Sequence, residues 1–263
     1  MKELELATPI SGPPHLYTAH ALPQAISHRG LRSRAPENSI PAFRDALTAG
    51  AEAIELDVHA SRDGTLYVHH DAIVAASGDD PDSPLSAIAQ LDTAAMSALR
   101  LAGDVEVPTL DDVLSDLATR AFIFIEIKGR GIEADVARCL RRHAATMDNC
   151  AVHSFDHRTV RTLLELIPSL RTGILQVSYP IDSRTAMRAA GATDLWQHVD
   201  FIDSTLASDV RAVSGRLIAW TVNDAADWER LALLGVHGIC TDRIEEYVRW
   251  KAAALLATRS NAP

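Results

Sequence analysis

Glu55-x-Asp57 and Glu126-x-Lys128 each set two ionisable side chains two residues apart at the end of an apolar run. Successive side chains of an extended chain point to opposite faces, so each pair shares one face. Two such strands side by side would bring Glu55, Asp57 and Glu126 to one spot. Clustered carboxylates repel one another unless a cation sits among them, and an all-oxygen ligand set suits a hard divalent ion, Mg2+ or Ca2+, with Mn2+ also accepted. The competing reading pairs each acid with a neighbouring Lys or Arg. His28 closes the first apolar run, and His70 returns towards the acids on a second one. Imidazole titrates near neutral pH, so two of them beside a metal suit a general acid and a general base. Arg29 and Lys128 add positive charge, a mixture fitted to an anionic oxygen ligand such as phosphate, and Gly30 permits a close backbone approach to it. Trp220 reads as an apolar wall for a substrate.

Groups so scattered in the chain can meet only if several strand ends share one rim. Apolar runs near 24–28, 53–58, 121–127, 150–154, 171–176, 199–203, 216–222 and 238–241 predict eight strands. Helical patterns fall between them at 39–49, 109–118, 132–146, 157–166, 184–190, 206–213 and 224–234, with a last one at 245–257. Thr109 ahead of Asp111 and Asp112, and Asn223-Asp224, read as helix starts. Alternating strands and helices of this number predict a single (β/α)8 TIM barrel, α/β in class, over 24–257. Residues 1–23 then form an N-terminal extension and 258–263 a tail. Catalytic groups of such a barrel sit where strands end, and most of these runs end on polar residues.

Asp63-Gly64 predicts a two-residue hairpin turn, which makes Thr65–Asp71 a small arm antiparallel to the second strand. That spacing sets Arg62 opposite Thr65 and Asp57 opposite His70, with His59 and His69 on the other face. Residues 72–107 form a compact insertion, broken at 78–84 and followed by a short helix over 86–99. Ile88, Leu91, Met96 and Leu99 have the spacing of a helix packed down on the barrel. His15, His20, His143, His157, His198 and His237 lack any such context and read as surface residues.

With 25 Lys+Arg against 35 Asp+Glu, the 263 residues carry a net charge of −10, which excludes a nucleic-acid partner held by a general basic footprint. Hydrophobic content of 47% and charged content of 23% describe an ordinary globular chain. The longest apolar runs, such as Ala252–Ala257, are far too short to span a bilayer, so no membrane insertion is expected. The first 24 residues lack a basic start and an apolar segment, which makes the cytoplasm the expected compartment. Cys139, Cys150 and Cys240 include no C-x-x-C pair; this argues against a disulfide framework or a thiolate zinc site and predicts three buried small hydrophobes.

Taken in order, His28-Arg29-Gly30, Pro36-Glu37-Asn38-Ser39, Glu55-Leu56-Asp57-Val58, Asp63-Gly64 with His70-Asp71, Val107-Pro108-Thr109-Leu110, Glu126-Ile127-Lys128, Ser154-Phe155, Trp220-Thr221-Val222-Asn223 and Gly238-Ile239-Cys240-Thr241-Asp242 resemble the glycerophosphodiester phosphodiesterase family. The resemblance implies a TIM barrel that hydrolyses glycerophosphodiesters to glycerol 3-phosphate and an alcohol with a divalent metal. It implies Glu55, Asp57 and Glu126 as metal ligands and His28 and His70 as the acid–base pair. Arg29, Glu37, Lys128 and Trp220 would line the phosphate and substrate pocket, Glu37 chiefly by orienting Arg29. One histidine would activate the glycerol 2-hydroxyl or water and the other protonate the leaving alcohol. The partner is then a small glycerophosphodiester. A lysophospholipase D or sphingomyelinase-D-like lipid phosphodiesterase is the alternative. Ser39 in place of a frequent Thr and Arg243 after Thr241-Asp242 depart from the family pattern and bear on substrate selection.

Overall fold

A computed structural model describes residues 22–260, so the expected N-terminal extension lies almost wholly outside the described residues, as do His15, His20 and the end of the tail. Eight parallel strands form the barrel: β1 (Gln24–His28), β2 (Ala53–Ala60), β3 (Phe122–Ile127), β4 (Cys150–Ser154), β5 (Arg171–Gln176), β6 (Asp194–His198), β7 (Arg216–Trp220) and β8 (Gly238–Thr241). Each pairs with the next, and β8 pairs with β1 to close the ring. Helices α1 (Ile40–Thr48), α2 (Leu110–Leu117), α3 (Glu133–Arg142), α4 (His157–Leu166), α5 (Ser183–Ala190), α6 (Ser204–Ala212), α7 (Ala225–Leu234) and α8 (Ile244–Ser260) follow the strands in turn.

Strand parity explains both cores. Ile54, Leu56 and Val58 of β2 and Ile123, Ile125 and Ile127 of β3 point outwards into the layer shared with the helices. The other parity fills the barrel with Ile26, Ala53, Phe124, Ala151, Leu175, Trp196, Ile218 and Cys240. Phe124 and Trp196 meet edge to face at 5.0 Å there. Towards the carboxyl ends the same inward parity turns polar: Ile26 leads to His28, Ala53 to Glu55 and Asp57, Phe124 to Glu126, and Cys240 to Asp242. Apolar burial thus anchors the strand stems on which the ionisable groups stand.

Helix starts obey local chemistry. Thr109 and Asp112 form a reciprocal capping box on α2, Asp224 caps α7, and Ser39 caps α1 by accepting from the Ala42 amide. Such caps contribute about 1 kcal/mol each.

Three expectations are corrected. The sixth strand is Asp194–His198 rather than 199–203, where a 3-10 turn spans Val199–Phe201. Polar residues concealed it: Gln197 is fully buried and donates to the Gln176 and Ser178 carbonyls, while Asp194 pairs with Arg171. The hairpin arm is Leu66–Val68, and its loop holds three residues, Arg62, Asp63 and Gly64, with Gly64 at φ +81. The Ser61 amide donates to the Thr65 carbonyl at 2.9 Å, so the register slips by one and the His69 amide donates to the Asp57 carbonyl at 3.0 Å. Within 86–99 only Thr93–Ser97 is α-helical; Ile73–Ala75 and Leu85–Ala87 pair antiparallel before a 3-10 turn at Ile88–Gln90. Packing onto the barrel survives this change, since Ile88 and Met96 are buried with Tyr67, Val74 and Val107, and Leu91 and Leu99 pack against them.

Candidate active site

Register builds the site. Cα pairing sets His28 beside Glu55, Asp57 beside Glu126, and Glu126 beside His153. The His28 Nδ1 lies 2.8 Å from Asp242 Oδ1, while its Nε2 stands 4.0 Å from Glu55 Oε2. Asp242 is itself held by the Asn223 side-chain amide at 2.8 Å and by Arg32 at 3.0 Å. Partial burial opposes its ionisation, but His28, Asn223 and Arg32 outweigh that and hold its carboxyl well below the usual range. An anionic Asp242 orients the imidazole and leaves Nε2 facing the acids.

Arg29 turns back at φ +58 and Asn38 at φ +57, left-handed conformations that cost energy in residues with a Cβ. The Asn38 amide donates to the Arg29 carbonyl at 2.9 Å, so the two turns brace each other. Arg29 thereby reaches Glu37 at 3.0 Å and Asp57 at 3.0 Å, and the Asn38 side chain donates to Asp57 at 2.9 Å. Gly30 serves this turn: at φ +86, its missing Cβ would lie 2.8 Å from Ala42 of α1.

The three carboxylates are buried, Glu55 at 3% exposure, Asp57 at 0% and Glu126 at 8%. Burial pushes Glu55 up to about 7, with Asp57 adding repulsion, and lifts Glu126 to about 7 through burial and then Asp57 and Glu55. Burial opposes ionisation of Asp57 too, yet Arg29, the Asn38 hydrogen bond and Lys128 hold it below its ordinary value. Glu55 Oε2, Asp57 Oδ1 and Glu126 Oε1 each lack a hydrogen-bond partner among the described residues. Lys128 approaches two of them as an ion pair, 3.2 Å from Glu126 and 3.7 Å from Asp57. Three buried carboxylate oxygens without a hydrogen-bond partner, two of them facing one ammonium, are a donor set that fits a hard divalent cation.

His153, a strand-end residue with no role assigned from sequence, stands behind them. It stacks on Trp196 at 4.2 Å, lies 3.8 Å from Glu55, and burial pushes it down to about 4, so it is neutral. Ligand atoms of Glu55, Glu126 and His153 fall within 4.8 Å of one another.

His70 reaches the rim despite the register slip, because the chain leaves the arm just before it. Its Nδ1 lies 2.8 Å from Asp71, and it lines a cavity of about 690 Å3 with Glu126, Lys128, Phe155 and His59. Glu37, Asn38 and His70 line an adjoining cleft of about 160 Å3. His59 was expected on the opposite face, but it shares the parity of Glu55 and Asp57, and its Nε2 lies 3.0 Å from the His70 carbonyl. Counting by twos from Glu55 would have found it. Trp220 meets Phe155 edge-on at 5.5 Å and His198 at 5.3 Å, so it stands beside a residue of the cavity wall without lining the cavity itself. His143, His157, His198 and His237 are half-buried rather than surface residues. Asp242 and Asn38 are the supporting groups that sequence reasoning left without a role; both lie in segments quoted for the resemblance, but nothing local tells which atom each holds.

A model of the glycerophosphoryl diester phosphodiesterase family matches residues 28–246. A glycerophosphodiester phosphodiesterase of Caldanaerobacter subterraneus subsp. tengcongensis is 30% identical over 233 residues, covering 85% of this chain and 95% of its own. Among solved structures, a glycerophosphodiester phosphodiesterase from Agrobacterium tumefaciens matches with a TM-score of 0.74 at 24% identity, over 86% of this chain and 99% of that one. An Oleispira antarctica phosphodiesterase, solved in complex with the product sn-glycerol-3-phosphate, matches with a TM-score of 0.73 at 21% identity, over 87% of this chain and 96% of that one. At these identities the two structures speak for the closed barrel alone.

Proposed function

The chain belongs to the glycerophosphoryl diester phosphodiesterase family, and from that membership and its site we propose that it hydrolyses soluble glycerophosphodiesters to glycerol 3-phosphate and an alcohol by histidine acid–base catalysis with one divalent cation. The observation that carries this reading is the trio of buried carboxylate oxygens without a hydrogen-bond partner on Glu55, Asp57 and Glu126, set beside two histidines each anchored at Nδ1 by an aspartate. Those three acids would hold the cation, Mg2+, Ca2+ or Mn2+. Bound there, it supplies Lewis-acid neutralisation of the phosphodiester and of the charge that builds on its oxygens.

Arg29 and Lys128 offer further positive charge to the same oxygens. Glu37 fixes Arg29 from one side while Asp57 holds it from the other. With Nδ1 of His28 tied to Asp242 and Nδ1 of His70 tied to Asp71, Nε2 of each ring is the atom that exchanges a proton. One takes the proton of the glycerol 2-hydroxyl or of water; the other gives a proton to the leaving alcohol. Phe155 and Trp220 offer an apolar flank to that alcohol. All three cysteines are free and buried, in keeping with a reducing compartment such as the cytoplasm. No helix among the described residues is long and apolar enough to cross a membrane.

The test is turnover coupled to glycerol 3-phosphate release, measured on glycerophosphocholine and glycerophosphoethanolamine with and without chelator. Chelation is expected to abolish activity and Mg2+, Mn2+ or Ca2+ to restore it. Full activity in a demonstrably metal-free preparation would overturn the proposal.

A further inference from the structure

A second group of ligating side chains lies outside the catalytic rim, between helices α2 and α3. Cys139 and His143 stand four residues apart, one turn along the end of α3, and therefore face the same way. Asp111 in the first turn of α2 completes the group, and ligand atoms of Asp111, Cys139 and His143 all lie within 4.8 Å of one another. The His143 Nε2 is 3.0 Å from Asp111 Oδ1. Cys139 is 1% exposed, whereas the His143 side chain is 18% and that of Asp111 40% exposed, so the group has a buried thiol and an open side.

We propose that Asp111, Cys139 and His143 form a binding site for a soft or borderline divalent transition metal, Zn2+ foremost, that clamps α2 to α3. A thiolate, an imidazole and a carboxylate are the donors that select such ions over Mg2+ and Ca2+. This ligand set is thus complementary in kind to the all-oxygen set proposed at the rim. A thiolate and a carboxylate together neutralise the ion, which suits a half-buried position, and water completes its shell on the open side. Arg142, which now hydrogen-bonds Asp111, must give up that contact, and its exposed position lets it do so. In the metal-free fold burial pushes the Cys139 thiol up to about 12, with Asp111 adding to the effect. Each ion bound therefore displaces the thiol proton to solvent. The spacing of cysteines in the chain argues against a thiolate zinc site, and the site arises because a carboxylate from a separate helix joins one cysteine and one histidine.

The full chain, stripped of metal, is titrated with Co2+ and followed by its near-ultraviolet thiolate-to-cobalt charge-transfer band, with Zn2+ as competitor. A stoichiometric band, displaced by Zn2+, is expected in the unaltered chain and in Cys240→Ser, whose sulfur lies inside the barrel. Cys139→Ser is expected to lose the band and His143→Ala to weaken Zn2+ affinity by more than roughly 100-fold, since even groups that merely orient a ligand are worth 10–100-fold. Zn2+ at about 100 times its dissociation constant should raise Tm by roughly 5–10 °C in the unaltered chain and not in Cys139→Ser. Far-ultraviolet circular dichroism and Mg2+-supported turnover, expected unchanged, show that the variants are folded. No thiolate band in the unaltered chain, or one that persists in Cys139→Ser, would overturn the site. Because the readout is spectroscopic, this result is independent of whether the rim hydrolyses glycerophosphodiesters.

Discussion

His28 and His70 differ in their support: the Asp242 that anchors His28 is fixed by Asn223 and Arg32, while the Asp71 beside His70 is exposed. Replacing either imidazole by alanine is expected to lower kcat by at least roughly 10²-fold with the fold intact, the scale of a lost positioned acid or base. Asp242→Asn, which keeps the volume but weakens the hold on Nδ1, should cost roughly 10- to 100-fold. Near-normal kcat in a folded His28 or His70 variant would remove that residue from the proton transfers. Glu55 and Glu126 make a separate prediction. In the metal-free chain both titrate at about 7, above the ordinary 4.5, so below that pH they hold protons that a cation must displace. The sign follows: between pH 4.5 and 7 the metal-free fold loses stability as pH rises, and cation affinity climbs through the same window. From pH 5 to pH 6 the Mg2+ dissociation constant should fall by roughly 10- to 100-fold, a decade per proton displaced, and level off above about pH 7. Calorimetric titration checks this, and a flat profile would disconnect these acids from the ion.

Elements place these atoms by turns as much as by strands. The loop from β1 to α1 carries Arg29 and Asn38 in left-handed conformations and closes tightly on Ala42 through Gly30. Gly30→Ala adds a methyl at φ +86 that lies 2.8 Å from backbone and side-chain atoms of Ala42. A loss of about 1–3 kcal/mol is expected from the strain, seen as a lower Tm, and kcat should fall with it because Arg29 is displaced. An unchanged Tm would mean that the loop has another conformation. The hairpin arm shows the same dependence. One extra loop residue brings His69 rather than His70 opposite Asp57, and His70 enters the cavity from the segment beyond the arm. A one-residue change in register reverses every facing side chain, so the slip changes which histidine meets the strand, and His70 keeps its place at the cavity only because the chain has left the arm before it.

At the scale of the molecule, the insertion over 72–107 carries six acidic residues against Arg100 alone, has no aromatic residue, and turns Ile88 and Met96 inwards. An anionic bilayer would repel it. Across the rim, Phe155, Val177, Tyr179 and Ile181 are exposed, and they are what a lipid substrate would use. The charged insertion is expected to prevail, giving a higher kcat/KM for glycerophosphocholine than for lysophosphatidylcholine and no co-sedimentation with vesicles. A lysolipid preference together with vesicle binding would favour the lipid phosphodiesterase alternative. Alternation of apolar stems and polar ends was enough to read the barrel, its helices and the rim on which Glu55, Asp57, Glu126 and His28 stand, because strand parity is a local property of the chain. What the tertiary structure alone decided depends on partners distant in sequence. Closure of β8 on β1 brings Asp242 to His28. Burial holds His153, stacked on Trp196, neutral behind the acids, and burial among other strands hides the polar β6. The meeting of α2 and α3 joins Asp111 to Cys139 and His143, a proximity that no spacing along one segment encodes.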